Sequence, residues 1–298
     1  MYSECTLCER KCRVNRIAGQ TGYCKSYATP RVSLASLHFY EEPIISGTRG
    51  SGAIFFSGCS LGCIYCQNSK ISRAPLGKEL DARGLKSAML ELHSKGAHNI
   101  NLVTPTHFVP TIAETIDIAR EGGLDIPIVY NTSSYESESA LRLLDGRVDV
   151  YLPDLKYYRQ SLAEKYSGVR NYPDTARRNI DIMLKQRGRF IIGEDGLIKS
   201  GVIVRLLLLP SALADTKLNL KYLYDNYGDD IYISLMSQYT PSEGLPSPLS
   251  RRVTAEEYDE LTEYAYKLGV KYAFTQERES ASSSYTPDFD TSLTNIDN

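Results

Sequence analysis

Three cysteines, Cys59, Cys63 and Cys66, stand at spacing C-x3-C-x2-C in the run Gly58-Cys59-Ser60-Leu61-Gly62-Cys63-Ile64-Tyr65-Cys66-Gln67-Asn68. A loop of this kind can wrap one corner of a cubane four-iron cluster and ligate three of its irons, which leaves the fourth iron without a protein ligand. An open iron can be chelated by the amine and carboxylate of a small molecule whose sulfonium then lies beside the cluster. Electron transfer into that sulfonium would break a carbon–sulfur bond and release a carbon radical, with the protein supplying binding and orientation. The competing reading is a zinc knuckle completed by a fourth ligand from elsewhere. Position directly after an apolar run favours the cluster, because structural zinc more often ties down a loop than opens a site.

The other four cysteines, Cys5, Cys8, Cys12 and Cys24, follow C-x2-C-x3-C-x11-C, with Gly19 and Gly22 allowing a tight return of the chain. Four thiolates suit tetrahedral zinc or a fully ligated iron-sulfur cluster. Zinc would make this segment a folding staple, since metal affinity is then folding free energy. A cluster would make it an electron relay, and a pair of disulfides is the third reading. All seven cysteines precede residue 67, and the chain opens without a charged region followed by an apolar run. That combination favours metal ligation in a reducing, cytoplasmic compartment.

The elements that must position these residues are legible in the alternation of short apolar runs with amphipathic stretches, the pattern of repeated βα units. Strands are predicted at 53–57, 99–103, 126–130, 148–152, 202–209, 231–236 and 271–274, with helices at 81–95, 110–121, 136–144, 174–187, 216–226 and 254–267. Polar, turn-prone clusters follow the strands: Ser57-Gly58-Cys59, Thr104-Pro105-Thr106-His107, Asn131-Thr132-Ser133-Ser134, Pro153-Asp154-Leu155-Lys156 and Ser237-Gln238-Tyr239-Thr240. In a parallel βα barrel such loops converge on one face. The expected architecture is therefore an α/β fold, a partial (β/α)6 TIM-like barrel over residues 41–278. A cysteine-rich metal-binding segment at 1–40 precedes it, and a Ser-, Thr- and Asp-rich tail at 279–298 follows, in which Tyr285 and Phe289 offer anchors. A doubly wound sheet would instead gather its strand ends along a crevice.

Composition sets bounds on partners. The 298 residues carry 34 Lys plus Arg against 36 Asp plus Glu, so no basic stripe announces nucleic acid. No stretch approaches the roughly 20 apolar residues of a membrane span.

The cysteine loop, Tyr65 before its third cysteine and the βα repeat resemble the radical S-adenosylmethionine (SAM) superfamily. More narrowly, nearly the whole chain is similar to uncharacterised relatives of the pyruvate formate-lyase activating enzyme. The similarity runs through Cys5-Thr6-Leu7-Cys8-Glu9-Arg10-Lys11-Cys12, Glu42-Pro43-Ile44-Ile45-Ser46-Gly47-Thr48-Arg49-Gly50-Ser51-Gly52, Thr104-Pro105-Thr106-His107 and Tyr151-Leu152-Pro153-Asp154-Leu155-Lys156-Tyr157. The resemblance implies that Cys59, Cys63 and Cys66 ligate a 4Fe-4S cluster and that Tyr65 packs near the adenine of S-adenosylmethionine, with ordinary loop packing as its alternative.

Where many relatives carry Gly-Gly-Glu to receive the methionine amine, Thr104, Thr106 and His107 stand here, which puts the contact atoms in question. His107 reads as a capping residue before the helix at 110, with a proton-transfer group as the alternative. Asn131 and Ser133 replace an Asp-Thr-Asn-Gly motif and suit a ribose or carboxylate hydrogen bond. Asp154 and Lys156 match an Asp-Leu-Lys motif around the methionine carboxylate, with a structural ion pair as alternative. Arg205, alone in an apolar strand, must find an anion: the cofactor carboxylate through a bidentate contact, or Asp154 as a buried pair.

The activity implied is reductive cleavage of S-adenosylmethionine to a 5′-deoxyadenosyl radical for hydrogen abstraction, with an electron donor such as flavodoxin or ferredoxin. Two substrate versions compete: a glycyl-radical activase acting on a protein loop, or radical modification of a small molecule, peptide, lipid or RNA. A non-catalytic zinc-binding interaction module is the reading from another class.

Overall fold

The computed structural model describes residues 1–74, 76–276 and residue 289. In chain order its elements are β1 (Arg31–His38), α1 (Pro43–Ser46), β2 (Ser51–Phe56), α2 (Ser69–Arg73), β3 (Lys78–Glu79), α3 (Ala82–Ser94), β4 (Ile100–Val103), α4 (Val109–Glu121), β5 (Ile128–Thr132), α5 (Glu138–Leu144), β6 (Val150–Pro153), α6 (Gln160–Ser167), α7 (Tyr172–Arg187), β7 (Ile191–Ile192), β8 (Ile198–Leu207), α8 (Leu213–Tyr227), β9 (Tyr232–Met236), α9 (Ala255–Leu268) and β10 (Ala273–Thr275).

Every residue of β2, β4, β5 and β6 is buried. Strands covered on both faces belong to a parallel sheet wrapped by helices. The helices present apolar stripes to it: α3 buries Ala82, Leu85, Ala88, Met89 and Leu92 at helical spacing. Their ends are fixed chemically. The Asp81 side chain accepts from the Gly84 N–H to start α3, and a reciprocal Thr254/Glu257 capping box starts α9.

The sheet order is β10-β9-β8-β6-β5-β4-β2-β1-β3, with β7 paired to β8. From β2 to β10 the neighbours are parallel and follow chain order without reversal. A doubly wound sheet must reverse direction at a switch point, so this order is that of a barrel. Among the described residues β10 pairs only with β9, which leaves the barrel open.

The first edge differs from expectation. β1 runs antiparallel to β2, and β3 antiparallel to β1, so the sheet begins at Arg31 rather than after residue 40. The chain between β1 and β2 turns back under the barrel, where Ile45 packs with Val129, Val150, Leu152, Ile198 and Ile203 and closes the floor. The tail at 279–298, including Tyr285, lies outside the described residues except for Phe289, whose ring meets Phe55 edge-on at 5.5 Å. No helix among the described residues is long and apolar enough to cross a membrane.

Candidate active site

The cysteine loop leaves the end of β2 through Gly58, whose φ of +85° disfavours any side chain. A Cβ there would also fall 2.5 Å from Ser26 Oγ and 2.6 Å from the Cys24 carbonyl. The loop is held from three sides. His107 Nε2 donates to the Ser57 carbonyl at 2.7 Å, and Arg73 donates to that of Cys63 at 2.9 Å. Arg10 donates to the carbonyls of Ser60 and Leu61, both at 3.0 Å, and to those of Ser167 and Gly168.

The three cysteines line one wall of a cavity of about 440 Å³ inside the barrel. Their sulfurs have protein partners: the Leu61 N–H donates to Cys59 Sγ at 3.3 Å, and Ser167 Oγ lies 2.9 Å from Cys63 Sγ. Burial pushes the Cys59 thiol up to about 12, with Cys66 and Cys63 adding to the effect, and burial beside Cys63 also raises Cys66. Two neighbouring thiols, Cys59 and Cys66, that resist ionising suit a cationic group that takes them as thiolates. Among the described residues no three His, Cys, Asp or Glu side chains converge on a single ion. Three donors on one wall with open volume beyond fit a group larger than one ion.

The same cavity is lined by a charged network. Asp154 Oδ2 accepts from Lys156 Nζ at 2.7 Å and Asp154 Oδ1 from Arg205 Nε at 2.9 Å. Arg205 further donates to Asn131 Oδ1 at 2.6 Å and lies 3.6 Å from Glu41. Glu41 also accepts from Asn101 at 2.9 Å and Asn131 at 3.3 Å. Burial alone would raise the Asp154 carboxyl, but the Arg205 and Lys156 cations beside it hold it below its ordinary range. Burial pushes Glu41 up against the pull of Arg205, and pushes Glu42 up with Glu41 adding to it. The guanidinium fork expected to bind a cofactor carboxylate is thus spent on Asp154, Asn131 and Glu41. Lys156, with one protein partner and close enough to Cys63 and Cys66 to act on them electrostatically, keeps donors to spare.

The remaining sequence-predicted residues divide. Tyr65, Thr104, Asn131 and Ser133 line the cavity with Asp154, Lys156 and Arg205. The Tyr65 hydroxyl lies 2.7 Å from that of Tyr157, and its ring meets Tyr157, Tyr166 and Tyr239 edge-on. Thr104 adopts φ +60°. The Ser133 Oγ is buried without a partner.

Thr106 and His107 lie outside the cavity: Thr106 Oγ1 donates to the buried Glu136 at 2.6 Å, and His107 is 1 % exposed behind the cysteine loop. Burial, with Arg16 nearby, lowers His107 to about 3, so it is neutral and serves as a brace. Sequence reasoning gave no role to Glu41, Glu42, His38, Ser234, Gln238 or Gln276, which also line the cavity. The signal for Glu42 was its place at the head of the Glu42–Gly52 segment, with Glu41 next to it.

The N-terminal cysteines sit behind the loop. Cys5 and Cys8 are buried, Cys12 and Cys24 partly so. Burial pushes Cys8 up to about 12, and Cys24, Cys12 and Cys5 lie near enough to contribute. Gly22 is required for this packing, since a Cβ there would meet Cys12 Sγ at 2.9 Å.

Residues 53–197 match the model of the radical SAM superfamily. An uncharacterised protein of Methanocaldococcus jannaschii is 30% identical over 285 residues, which cover 91% of this chain and 76% of that protein. Among solved structures, the chain superposes on Streptococcus suis SuiB bound to S-adenosylmethionine with a TM-score of 0.53 at 15% identity, covering 74% of this chain. The match spans about half of SuiB, 49% of its length. A radical SAM methyltransferase from Sphaerobacter thermophilus gives a TM-score of 0.54 at 14% identity, covering 81% of this chain and 69% of that one. These two likenesses are of fold.

Proposed function

Because the chain belongs to the radical SAM superfamily, we propose that it cleaves S-adenosylmethionine reductively at a 4Fe-4S cluster held by Cys59, Cys63 and Cys66. The observation that carries this reading is the convergence of Cys59, Cys63 and Cys66 on one cavity that Asp154, Lys156 and Arg205 also line. When bound, such a cluster supplies the electron that breaks the sulfonium carbon–sulfur bond and so yields the 5′-deoxyadenosyl radical that abstracts hydrogen from substrate.

The protein's part is binding, orientation and exclusion of water. Lys156 offers its spare donors to the methionine carboxylate. Arg205 is a positioning residue, fixing Asp154 and Asn131 so that each presents one defined face. Thr104 and the unpartnered Ser133 hydroxyl supply polar contacts for the amine and ribose, and Tyr65 forms an aromatic wall beside the cysteines. Electrons come from a small carrier such as flavodoxin or ferredoxin. The spacing of Cys5, Cys8, Cys12 and Cys24 supports zinc or a second cluster as a brace behind the loop, although these four side chains are not gathered around a single ion. Hydrogen abstraction from a glycyl-radical enzyme's loop is the version nearest the activating-enzyme resemblance.

The test is anaerobic reconstitution with iron and sulfide, then dithionite and S-adenosylmethionine, with chromatography for 5′-deoxyadenosine. Slow cleavage is expected without substrate and should vanish in Cys63→Ala. Product formation unchanged in that variant would sink the assignment.

A further inference from the structure

The cavity floor carries a carboxylate that the chemistry above does not use. Glu42 is 8 % exposed and lines the cavity, and its Oε2 has no hydrogen-bond partner. Its other contact is Ser234, in the middle of β9 and itself part of the cavity lining, which places the carboxyl inside the barrel. Glu41 stands beside it. The two cations of the cavity are already engaged: Lys156 with Asp154, and Arg205 with Asp154 and Glu41. Three carboxylates, Glu41, Glu42 and Asp154, thus face two cations. His38, the remaining titratable nitrogen on the lining, is kept neutral by burial. A buried, unpaired acid at the closed end of a ligand chamber is expensive unless something positive completes it.

We propose that Glu42, backed by Glu41, is the subsite for an ammonium or guanidinium group of the substrate, which enters with its cationic head towards the floor closed by Ile45. The inference rests on the cavity being the reaction chamber, but the geometry selects the substrate's charge independently of the chemistry at the cysteines. A free alkyl cation and a lysine or arginine side chain of a peptide present the same head, so the subsite recognises that head rather than its source.

Saturation-transfer NMR on the full chain tests this without any turnover. The probes are butylammonium and butylguanidinium, with butanol and butyrate as neutral and anionic controls, and Nα-acetyl-lysine N-methylamide to stand for a peptide. At least one cation should bind in preference to both controls, and Glu42→Gln should weaken it roughly tenfold or more, as expected for loss of a charge-assisted contact. Glu42→Asp, which keeps the charge, should retain the preference for cations at lower affinity, and circular dichroism checks that each variant is folded.

Preference for butylammonium or butylguanidinium over blocked lysine assigns a free small molecule, and the reverse assigns a peptide. No cation binding, or binding equal in wild type and Glu42→Gln, overturns the subsite. Failure of the radical reading would appear separately, as absent 5′-deoxyadenosine with this binding intact.

Discussion

Replacing Ser167 with alanine should make the cluster harder to reduce. Ser167 Oγ lies 2.9 Å from Cys63 Sγ, and both residues are buried. A cluster-bound thiolate only accepts hydrogen bonds, so in that state Ser167 must donate to it. The Ser167 oxygen also lies 2.7 Å from the Tyr157 hydroxyl, which donates to that of Tyr65. Donation to a sulfur ligand stabilises the more negative, reduced cluster over the oxidised one and raises its potential. A hydrogen bond to a charged partner contributes about 1.5–3 kcal/mol in total. If about 1 kcal/mol of that distinguishes the two oxidation states, its loss lowers the potential by about 40 mV, on the scale where tenfold in a one-electron equilibrium is about 59 mV. The assay is an electron-paramagnetic-resonance redox titration of reconstituted wild type, Ser167→Ala and Tyr157→Phe at matched iron content. Tyr157→Phe, whose lost hydroxyl lies 4.0 Å from Cys63 Sγ, should shift the potential in the same direction by less. An unchanged or raised midpoint in Ser167→Ala would refute the reasoning.

Gly58→Ala should be destabilising by about 2 kcal/mol or more, because it adds left-handed backbone strain to a Cβ 2.6 Å from a backbone oxygen; a denaturation midpoint equal to wild type would contradict this. His107 is held at about 3 in the fold, whereas an unfolded histidine titrates near 6.5. Between those values the unfolded state binds the extra proton, so stability is fully present above about pH 6.5 and is lost as pH falls towards 3, by on the order of 5 kcal/mol. His107→Gln should flatten that part of the pH–stability curve, measured by urea unfolding, and a slope identical to wild type would count against a buried neutral His107.

Much of the fold was legible because its signals are local. Apolar runs between amphipathic stretches mark β2, β4, β5, β6, β8 and β9 within a few residues, and with them α3, α4, α5, α7, α8 and α9, whereas the short α2 and α6 are not predicted. β1 escaped notice because its run, Arg31-Val32-Ser33-Leu34-Ala35-Ser36-Leu37-His38, lies beside the cysteine-rich opening and gains its partner only by antiparallel pairing with β2. The site was legible to the extent that chemistry forces it. Three close cysteines suggest ligands and meet on one cavity, and an arginine in an apolar strand must find an anion. Which anion is a long-range question: Glu41 reaches Arg205 from the other side of the barrel, a contact no periodicity encodes.

The same distinction separates what the N-terminal segment is from what it does. Its cysteine spacing announces a metal, yet its tightest couplings to the barrel are made by two arginines. Arg10, set between Cys8 and Cys12, holds the carbonyls of Ser60 and Leu61 and lies 3.5 Å over the ring of Tyr23. Arg16, 1 % exposed, donates to the carbonyls of Ser26, Tyr27 and His107, and His107 in turn holds that of Ser57. Each guanidinium spans the four-cysteine segment and the strand ends beside the three-cysteine loop. A buried guanidinium such as Arg16, held by carbonyls and without a carboxylate partner, tolerates little displacement before its desolvation outweighs its hydrogen bonds. Any group that orders Cys5, Cys8, Cys12 and Cys24 therefore also fixes the loop that carries Cys59, Cys63 and Cys66, and the two cysteine sets act as one mechanical unit.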